Sequence, residues 1–115
     1  MSPDKSDPVR EVRWVGKTAV VDVAGDIDLS RTNQFQASLL HVLNTGPERI
    51  IVNLAGVNYM DSSGVASLVK LLSRARQSGI SLGLTGLTAR VRSVFQITRL
   101  DTVFEIFPTE QEALA

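Results

Sequence analysis

Four consecutive residues that could carry chemistry, Asp61-Ser62-Ser63-Gly64, stand where a predicted strand gives way to a predicted helix. Asp and Ser are good N-cap residues, because their side-chain oxygens accept hydrogen bonds from the free N–H groups of a first helical turn. The helix start also carries a partial positive charge that favours a nearby anion. Two exposed serines here can therefore form a phosphorylation switch in which an added phosphate meets free amides. For an isolated motif of this kind, simple capping is the better interpretation.

The flanking sequence predicts the two elements that hold this motif. An apolar, β-branched run at residues 50–52 indicates a strand, and a short polar turn at Asn58 and Tyr59 is expected to follow it. Beyond the motif, a helix that closes at residues 77–79 is expected. Its buried face is predicted from apolar residues at helical spacing: Val65, Leu68, Val69 and Leu72.

The rest of the chain alternates between strand-like and helix-like patterns. Strands are predicted at residues 9–15, 18–24, 80–84 and 103–107, with Gly16 and Lys17 forming a hairpin turn between the first two. Helices are predicted at about residues 30–43, from the Thr88 cap to about residue 100, and after a capping box formed by Thr109 and Glu112. The predicted fold is α/β, with a mostly parallel mixed sheet of about five strands and helices packed against it.

Length and composition exclude several classes of protein. The 115 residues suffice for one domain, which we assign to residues 9–115 after a polar, disordered segment at residues 1–8. Twelve basic and twelve acidic residues cancel, which argues against a nucleic-acid partner. Without cysteine there are no disulfides or thiolate metal sites. No apolar run approaches the roughly 20 residues that cross a bilayer, and no signal peptide is seen, so we expect a cytoplasmic protein without membrane insertion.

Other polar residues do not assemble a catalytic or metal site. Asp26 and Asp28 follow the second strand and could approach Asp61, but carboxylates in such loops are more often caps, so no metal is expected. His41 is the only histidine, so no Ser-His-Asp set can be built around Ser62 and an enzyme is not expected. The glycines form no phosphate-binding pattern, and no cofactor is predicted.

Two further groups of side chains are assigned structural roles. Trp14 and Phe95 are expected to pack in the core or to cover an edge of the sheet, and Gly83 is expected to let a neighbouring backbone approach closely. Five arginines could form a basic patch, but we expect solvated helix faces with local acidic partners. They are Arg74, Arg76, Arg90, Arg92 and Arg99.

From about residue 10 to residue 114, the chain resembles the STAS domain family, which includes bacterial anti-sigma factor antagonists and cytoplasmic domains of sulphate transporters. Four local motifs match in the right order: Gly25-Asp26-Ile27-Asp28, Val52-Asn53-Leu54, the segment 60–66 around Asp61-Ser62-Ser63-Gly64, and the segment from Val91 to Ile106. The Asp-Ser-Ser-Gly element with its flanks is the most specific of them. In combination, the motifs favour the phosphorylation switch over simple capping.

The resemblance implies a mechanism of the antagonist type. Ser62 would be the phospho-acceptor, with Ser63 as second choice, and the kinase would be an anti-sigma factor of the histidine-kinase-like ATPase type. The unphosphorylated chain would bind that kinase, phosphorylation would prevent binding, and a serine phosphatase would reset the switch. The expected partner-binding residues are Asp26, Asp28, Asp61, Ser62, Ser63 and Gly64. Two alternatives stay open: a STAS subunit of a lipid-transport ABC complex, or a nucleotide-binding STAS protein.

Overall fold

A computed structural model of the protein describes residues 7–115, and within them strands and helices alternate. The five strands are β1 (Val9–Val15), β2 (Thr18–Ile27), β3 (Arg49–Met60), β4 (Ser81–Thr85) and β5 (Glu105–Phe107). The helices are α1 (Thr32–Asn44), α2 (Ser62–Gln77), α3 (Ala89–Ile97) and α4 (Glu110–Leu114), with a 3-10 turn at Leu100–Thr102. The predicted order of elements is confirmed.

The strands form a single sheet in the order β1-β2-β3-β4-β5. β1 pairs antiparallel with β2 through the Gly16–Lys17 turn, and the other neighbouring pairs are parallel. The main core lies between the sheet and α1, α2 and α3, and a smaller cluster of Val20, Ile51 and Ala113 lies beneath α4. The predicted α/β fold with a mixed, mostly parallel sheet is therefore confirmed. Because β2 and β3 are parallel, their carboxyl ends lie at the same edge of the sheet.

Strands β2 and β3 are longer than the sequence predicts. β2 continues past Gly25 to Ile27, and β3 continues past the turn expected at Asn58 and Tyr59 to Met60. The two extensions pair with each other, Asp26 with Tyr59 and Ile27 with Met60, so each supplies the backbone partners that the other needs. The predicted loop at Asp26 and the predicted turn at Tyr59 are both wrong.

Several smaller expectations are also corrected. In α2, Val69 is exposed, whereas Val65, Leu68 and Leu72 are buried as predicted. Helix α3 ends at Ile97, earlier than expected, since Arg99 adopts a left-handed conformation with φ of 60°. A Cβ on Gly83 would meet the side chains of Phe107 and Ile51, not a neighbouring backbone.

Strand β5 begins only at Glu105 because the 3-10 turn takes up the preceding residues.

The predictions for Phe95 and Trp14 have different outcomes. Phe95 is fully buried and packs edge-on against Phe104, with ring centroids 5.5 Å apart. Trp14 lies on the edge strand β1 with half of its surface exposed, so it is not a core residue. His41 is exposed on α1, as expected.

Of the predicted disordered segment at residues 1–8, residues 1–6 lie outside the described residues. Asp7 and Pro8 both contact the domain. The Asp7 carboxylate accepts hydrogen bonds from the Val9 N–H (2.9 Å) and the Ser38 hydroxyl (2.9 Å), and the Pro8 carbonyl accepts one from the Ala24 N–H (2.9 Å). These two residues therefore belong with the folded part of the chain.

Candidate functional site

The Asp-Ser-Ser-Gly motif lies where β3 leaves the sheet and α2 begins. Asp61 is the N-cap, with extended backbone angles (φ −88°, ψ −177°), and Ser62 is the first helical residue. The Asp61 N–H donates to the Ile27 carbonyl at the end of β2 (3.0 Å). The start of α2 is thereby fixed to the carboxyl ends of β2 and β3.

The Asp61 carboxylate organises the surrounding backbone. Its Oδ1 accepts hydrogen bonds from the Ser63 N–H (2.9 Å), the Gly64 N–H (3.2 Å) and the Ser63 hydroxyl. Its Oδ2 accepts one from the Leu29 N–H (3.1 Å) in the loop between β2 and α1. These donors, the Ser63 hydroxyl above all, hold the pKa of Asp61 below its usual range.

One expectation about the helix start is wrong for two of the amides of the first turn. A phosphate at this point was expected to meet free amides, but the N–H groups of Ser63 and Gly64 already donate to Asp61. The Val65 N–H donates to the Asp61 carbonyl (3.2 Å). An N-cap carboxylate takes up these donors because it is an ionised acceptor held at the helix end by its own backbone.

The two serines differ in their surroundings. Ser62 is exposed, and its hydroxyl has no hydrogen-bond partner among residues 7–115. Ser63 is half-buried, and its hydroxyl donates to the Asp61 carboxylate. The Ser62 oxygen is thus accessible from solvent, whereas a new group on the Ser63 oxygen would have to break a hydrogen bond to an ionised partner.

The loop between β2 and α1 runs beside this helix start. Within it, Asp28 Oδ1 accepts hydrogen bonds from the N–H (3.0 Å) and the hydroxyl of Ser30, and the Asp28 carbonyl accepts one from the Arg31 N–H (3.0 Å). Asp26 is exposed at the end of β2, and its carbonyl accepts a hydrogen bond from the Arg31 guanidinium (3.3 Å). Asp26, Asp28 and Asp61 therefore lie along one edge of the sheet, with Ser62 beside them.

Gly64 faces the interior of the domain. It is buried, and a Cβ at this position would lie 2.7 Å from Met60 Cγ and 2.8 Å from Ile27 Cγ2. The first turn of α2 can approach the ends of β2 and β3 only because Gly64 has no side chain. Of the six residues predicted to bind a partner, Gly64 is the one whose place in the fold is internal.

Leu29 is a surface feature that the sequence interpretation missed. Its side chain is 76% exposed although its backbone N–H is bonded to Asp61. The signal in the sequence is an apolar residue between two turn-forming residues, Asp28 and Ser30, a pattern that predicts only a loop. Tyr59, at the end of β3, is also exposed (44%).

Two other features, a metal-binding cluster and a membrane-spanning helix, are not found among the described residues. Within residues 7–115, no group of three or more His, Cys, Asp or Glu side chains is placed to hold a metal ion. In that part of the chain, no helix has the length and apolar character needed to cross a membrane.

The arginines that were expected to have local acidic partners do not have them. The ion pairs among the described residues are Arg13 with Asp22, Arg13 with Glu110, and Lys17 with Glu48. None involves the five arginines named above. All five are exposed, as predicted, but the predicted acidic partners are wrong, and Arg99 lies beyond the end of α3. Arg13 joins β1, β2 and α4 through its two carboxylate partners.

The model of the STAS domain family matches residues 10–113. The chain belongs to the STAS domain family. The resemblance drawn from the Asp-Ser-Ser-Gly segment and its neighbouring motifs is confirmed.

Three relatives are informative. The anti-sigma-B factor antagonist of Staphylococcus epidermidis is 30% identical over 86 residues, which cover 75% of this chain and 80% of that protein. The structure of an anti-sigma factor antagonist from Mycobacterium paratuberculosis shares the fold, with a TM-score of 0.86, 22% identity, and coverage of 96% and 94% of the two chains.

The third relative, the anti-sigma factor antagonist SpoIIAA, has been solved in two forms. Its unphosphorylated form gives a TM-score of 0.76 at 26% identity and covers 90% of this chain and 91% of its own. Its phosphorylated form, described as a Bacillus cell fate determinant, gives 0.69 at 25% identity and covers 90% and 95%. This STAS domain is therefore similar to a protein that is known with and without phosphate.

Proposed function

We propose that this STAS domain is an anti-sigma factor antagonist that binds an anti-sigma factor when unphosphorylated and is switched off by phosphorylation at Ser62. The partner is a serine kinase of the histidine-kinase-like ATPase type, and a serine phosphatase restores the binding form in the cytoplasm. The antagonists of Staphylococcus and the two forms of SpoIIAA support this role.

The observation that carries the choice of Ser62 is the contrast between the two serine hydroxyls. Ser62 is exposed and its oxygen is unpartnered among residues 7–115, whereas the Ser63 hydroxyl is bonded to the Asp61 carboxylate. A kinase has to bring a γ-phosphate in line with the attacking oxygen, which requires a free approach to that oxygen. Ser62 meets this requirement without any rearrangement of the helix start.

The occupied amides determine how a phosphate would act. A phosphoserine carries roughly −1.5 to −2 charges at neutral pH. Since Asp61 already accepts hydrogen bonds from the Ser63 and Gly64 amides, those N–H groups are not available to neutralise a phosphate on Ser62. The phosphate therefore stays at the surface beside Asp61, where its bulk and its unneutralised charge block a partner that fits closely over the Ser62 hydroxyl, without refolding of the domain.

The experiment is phosphorylation followed by intact-mass measurement. The purified chain is incubated with Mg-ATP and each histidine-kinase-like serine kinase of the source organism. We expect the mass of one phosphate to be added to the wild-type chain and to be absent from Ser62→Ala. Two variants serve as controls and are expected to be phosphorylated: Ser63→Ala, and Ser93→Ala, which removes an exposed α3 serine whose hydroxyl bonds to the Ala89 carbonyl. Phosphate retained in Ser62→Ala would contradict the proposal.

A further inference from the structure

Leu29 projects into solvent although its loop is tightly constrained. Its N–H donates to Asp61 Oδ2 (3.1 Å), and its carbonyl accepts a hydrogen bond from the Thr32 hydroxyl (3.2 Å). Asp28 on one side accepts two hydrogen bonds from Ser30 on the other. The backbone on both sides of this leucine is thus fixed, while the side chain is 76% exposed.

A single exposed leucine is common on protein surfaces and by itself needs no explanation. What distinguishes Leu29 is its position. Its N–H bonds to the residue that immediately precedes Ser62, so the β2–α1 loop lies beside the helix start that carries the Ser62 hydroxyl. Because the backbone is held in place before binding, only the rotamers of the Leu29 side chain lose conformational entropy when a partner buries it.

The surroundings of Leu29 define the kind of partner that fits. Asp26 and Asp28 precede Leu29 in the chain and its N–H bonds to Asp61, so three carboxylates and one basic residue, Arg31, belong to its surroundings. A complementary surface has an apolar pocket with basic residues around its rim. Apolar anchors that fill a pocket inside a polar rim carry most of the binding energy in many protein interfaces.

We propose that Leu29 is the apolar anchor through which the kinase docks before it phosphorylates Ser62, and that the kinase receives it in an apolar pocket with a basic rim. This inference rests on the proposed function, because it assigns a docking contact to the same partner. The N–H of Leu29 bonds to Asp61, and Ser62 follows Asp61 in the chain. One face of the domain therefore carries both the docking contact and the site of regulation.

The test uses Leu29→Ala with the kinase that phosphorylates the wild-type chain. Without ATP, we expect the binding affinity of the kinase for Leu29→Ala to be about tenfold to a hundredfold weaker, the factor that corresponds to losing one buried leucine side chain. With ATP, we expect KM for the domain to rise by a similar factor while kcat stays near the wild-type value, because Leu29 docks and does not react. Leu29→Met, which keeps apolar bulk, should restore most of the affinity.

Ile97→Ala is the matched control. Ile97 is 83% exposed at the end of α3, so its truncation removes a comparable apolar surface elsewhere in the molecule. We expect it to bind and to be phosphorylated like the wild type. Thermal unfolding of each variant checks the fold, and since both side chains are exposed we expect the melting temperatures to stay close to the wild-type value.

The outcomes separate this inference from the proposed function. If the wild type is bound and phosphorylated and Leu29→Ala behaves identically, the anchor is overturned and the proposed function stands. If Leu29→Ala and Ile97→Ala weaken binding equally, the anchor is also overturned, since the effect is not local. If none of the kinases binds or phosphorylates the wild type, both proposals are overturned.

Discussion

Two helices of this domain, α2 and α3, begin after parallel strands at the same edge of the sheet, yet their first residues are used differently. At α3, the Thr88 hydroxyl accepts a hydrogen bond from the Val91 N–H (3.5 Å) and donates one to the Val57 carbonyl (3.0 Å). At α2, a carboxylate performs the capping and the hydroxyl of the next residue, Ser62, remains free.

The difference shows how a capping motif can be separated from a site of modification. The Thr88 hydroxyl uses both of its hydrogen-bonding functions within the fold, so its oxygen is committed to structure. At α2, Asp61 accepts the N–H groups of Ser63 and Gly64, so the Ser62 oxygen is not needed as a cap and makes no hydrogen bond within residues 7–115. A substitution at Thr88 should therefore change stability, and one at Ser62 should change regulation.

The largest stability effect is expected at the close contact behind the α2 start. In Gly64→Ala the new methyl group would overlap with Ile27 and Met60, and overpacking of this kind costs about 1–3 kcal/mol. A gain in helix propensity of up to about 1 kcal/mol offsets part of this loss. Urea unfolding at neutral pH measures the net change. Stability equal to or above that of the wild type would show that the helix start can move away from the sheet.

The next effect is expected at the α3 cap. Thr88→Ala removes the cap of the Val91 N–H and the hydrogen bond to the Val57 carbonyl. We expect a loss of about 1–2 kcal/mol in the free energy of unfolding, again measured in urea. Thr88→Ser keeps the hydroxyl and is the control. If Thr88→Ala and Thr88→Ser are equally stable, the hydroxyl does not have the structural role assigned to it.

The effect of pH on the α2 cap should be smaller. The pKa of Asp61 is lowered in the folded state, chiefly by the hydrogen bond from the Ser63 hydroxyl. A lowered pKa contributes stability that is present above the unfolded-state pKa of about 4 and is lost as the pH falls through the folded-state pKa. Asp61→Asn keeps one capping oxygen but cannot titrate, so we expect it to be less stable than the wild type at pH 7 and the difference to shrink as the pH falls below about 4. Parallel acid dependence in both proteins would contradict this assignment.

The smallest effect is expected at Ser62 itself. Since its hydroxyl has no partner among residues 7–115, Ser62→Ala should change the free energy of unfolding by less than about 0.5 kcal/mol. The comparison with Thr88→Ala under the same conditions tests the contrast between the two helix starts directly. Should both variants lose equal stability, Ser62 would be a capping residue like Thr88.

The sequence was sufficient for the order of elements because local patterns carry that information. Helical spacing, the Thr88 and Thr109 caps, and the Gly16–Lys17 turn each depend on residues close together in the chain. The ends of β2 and β3 were misjudged because their length depends on pairing between segments about 33 residues apart, Asp26 with Tyr59 and Ile27 with Met60. Polar residues at a strand end look like a turn until their partner strand is known.

The candidate site was predictable in its residues but not in all of its hydrogen bonds. The motif Asp61-Ser62-Ser63-Gly64 gives the cap and the helix start, whereas the bond from the Leu29 N–H to Asp61 joins loops that are far apart in sequence. That contact could not be read from periodicity or composition. It explains why the sequence assigns Leu29 only to a loop, whereas the cap of the Ser63 and Gly64 amides by Asp61 is local and can be predicted from the motif.

The central claim is that a phosphate on Ser62 switches binding off by adding a bulky charged group to an otherwise unchanged surface. The most direct measurement is calorimetric titration of the partner kinase with the unphosphorylated chain and with the chain carrying one phosphate, alongside the far-UV circular dichroism of both forms. We predict at least about a hundredfold weaker binding of the phosphorylated form, with identical spectra. Equal affinities for the two forms would contradict the account.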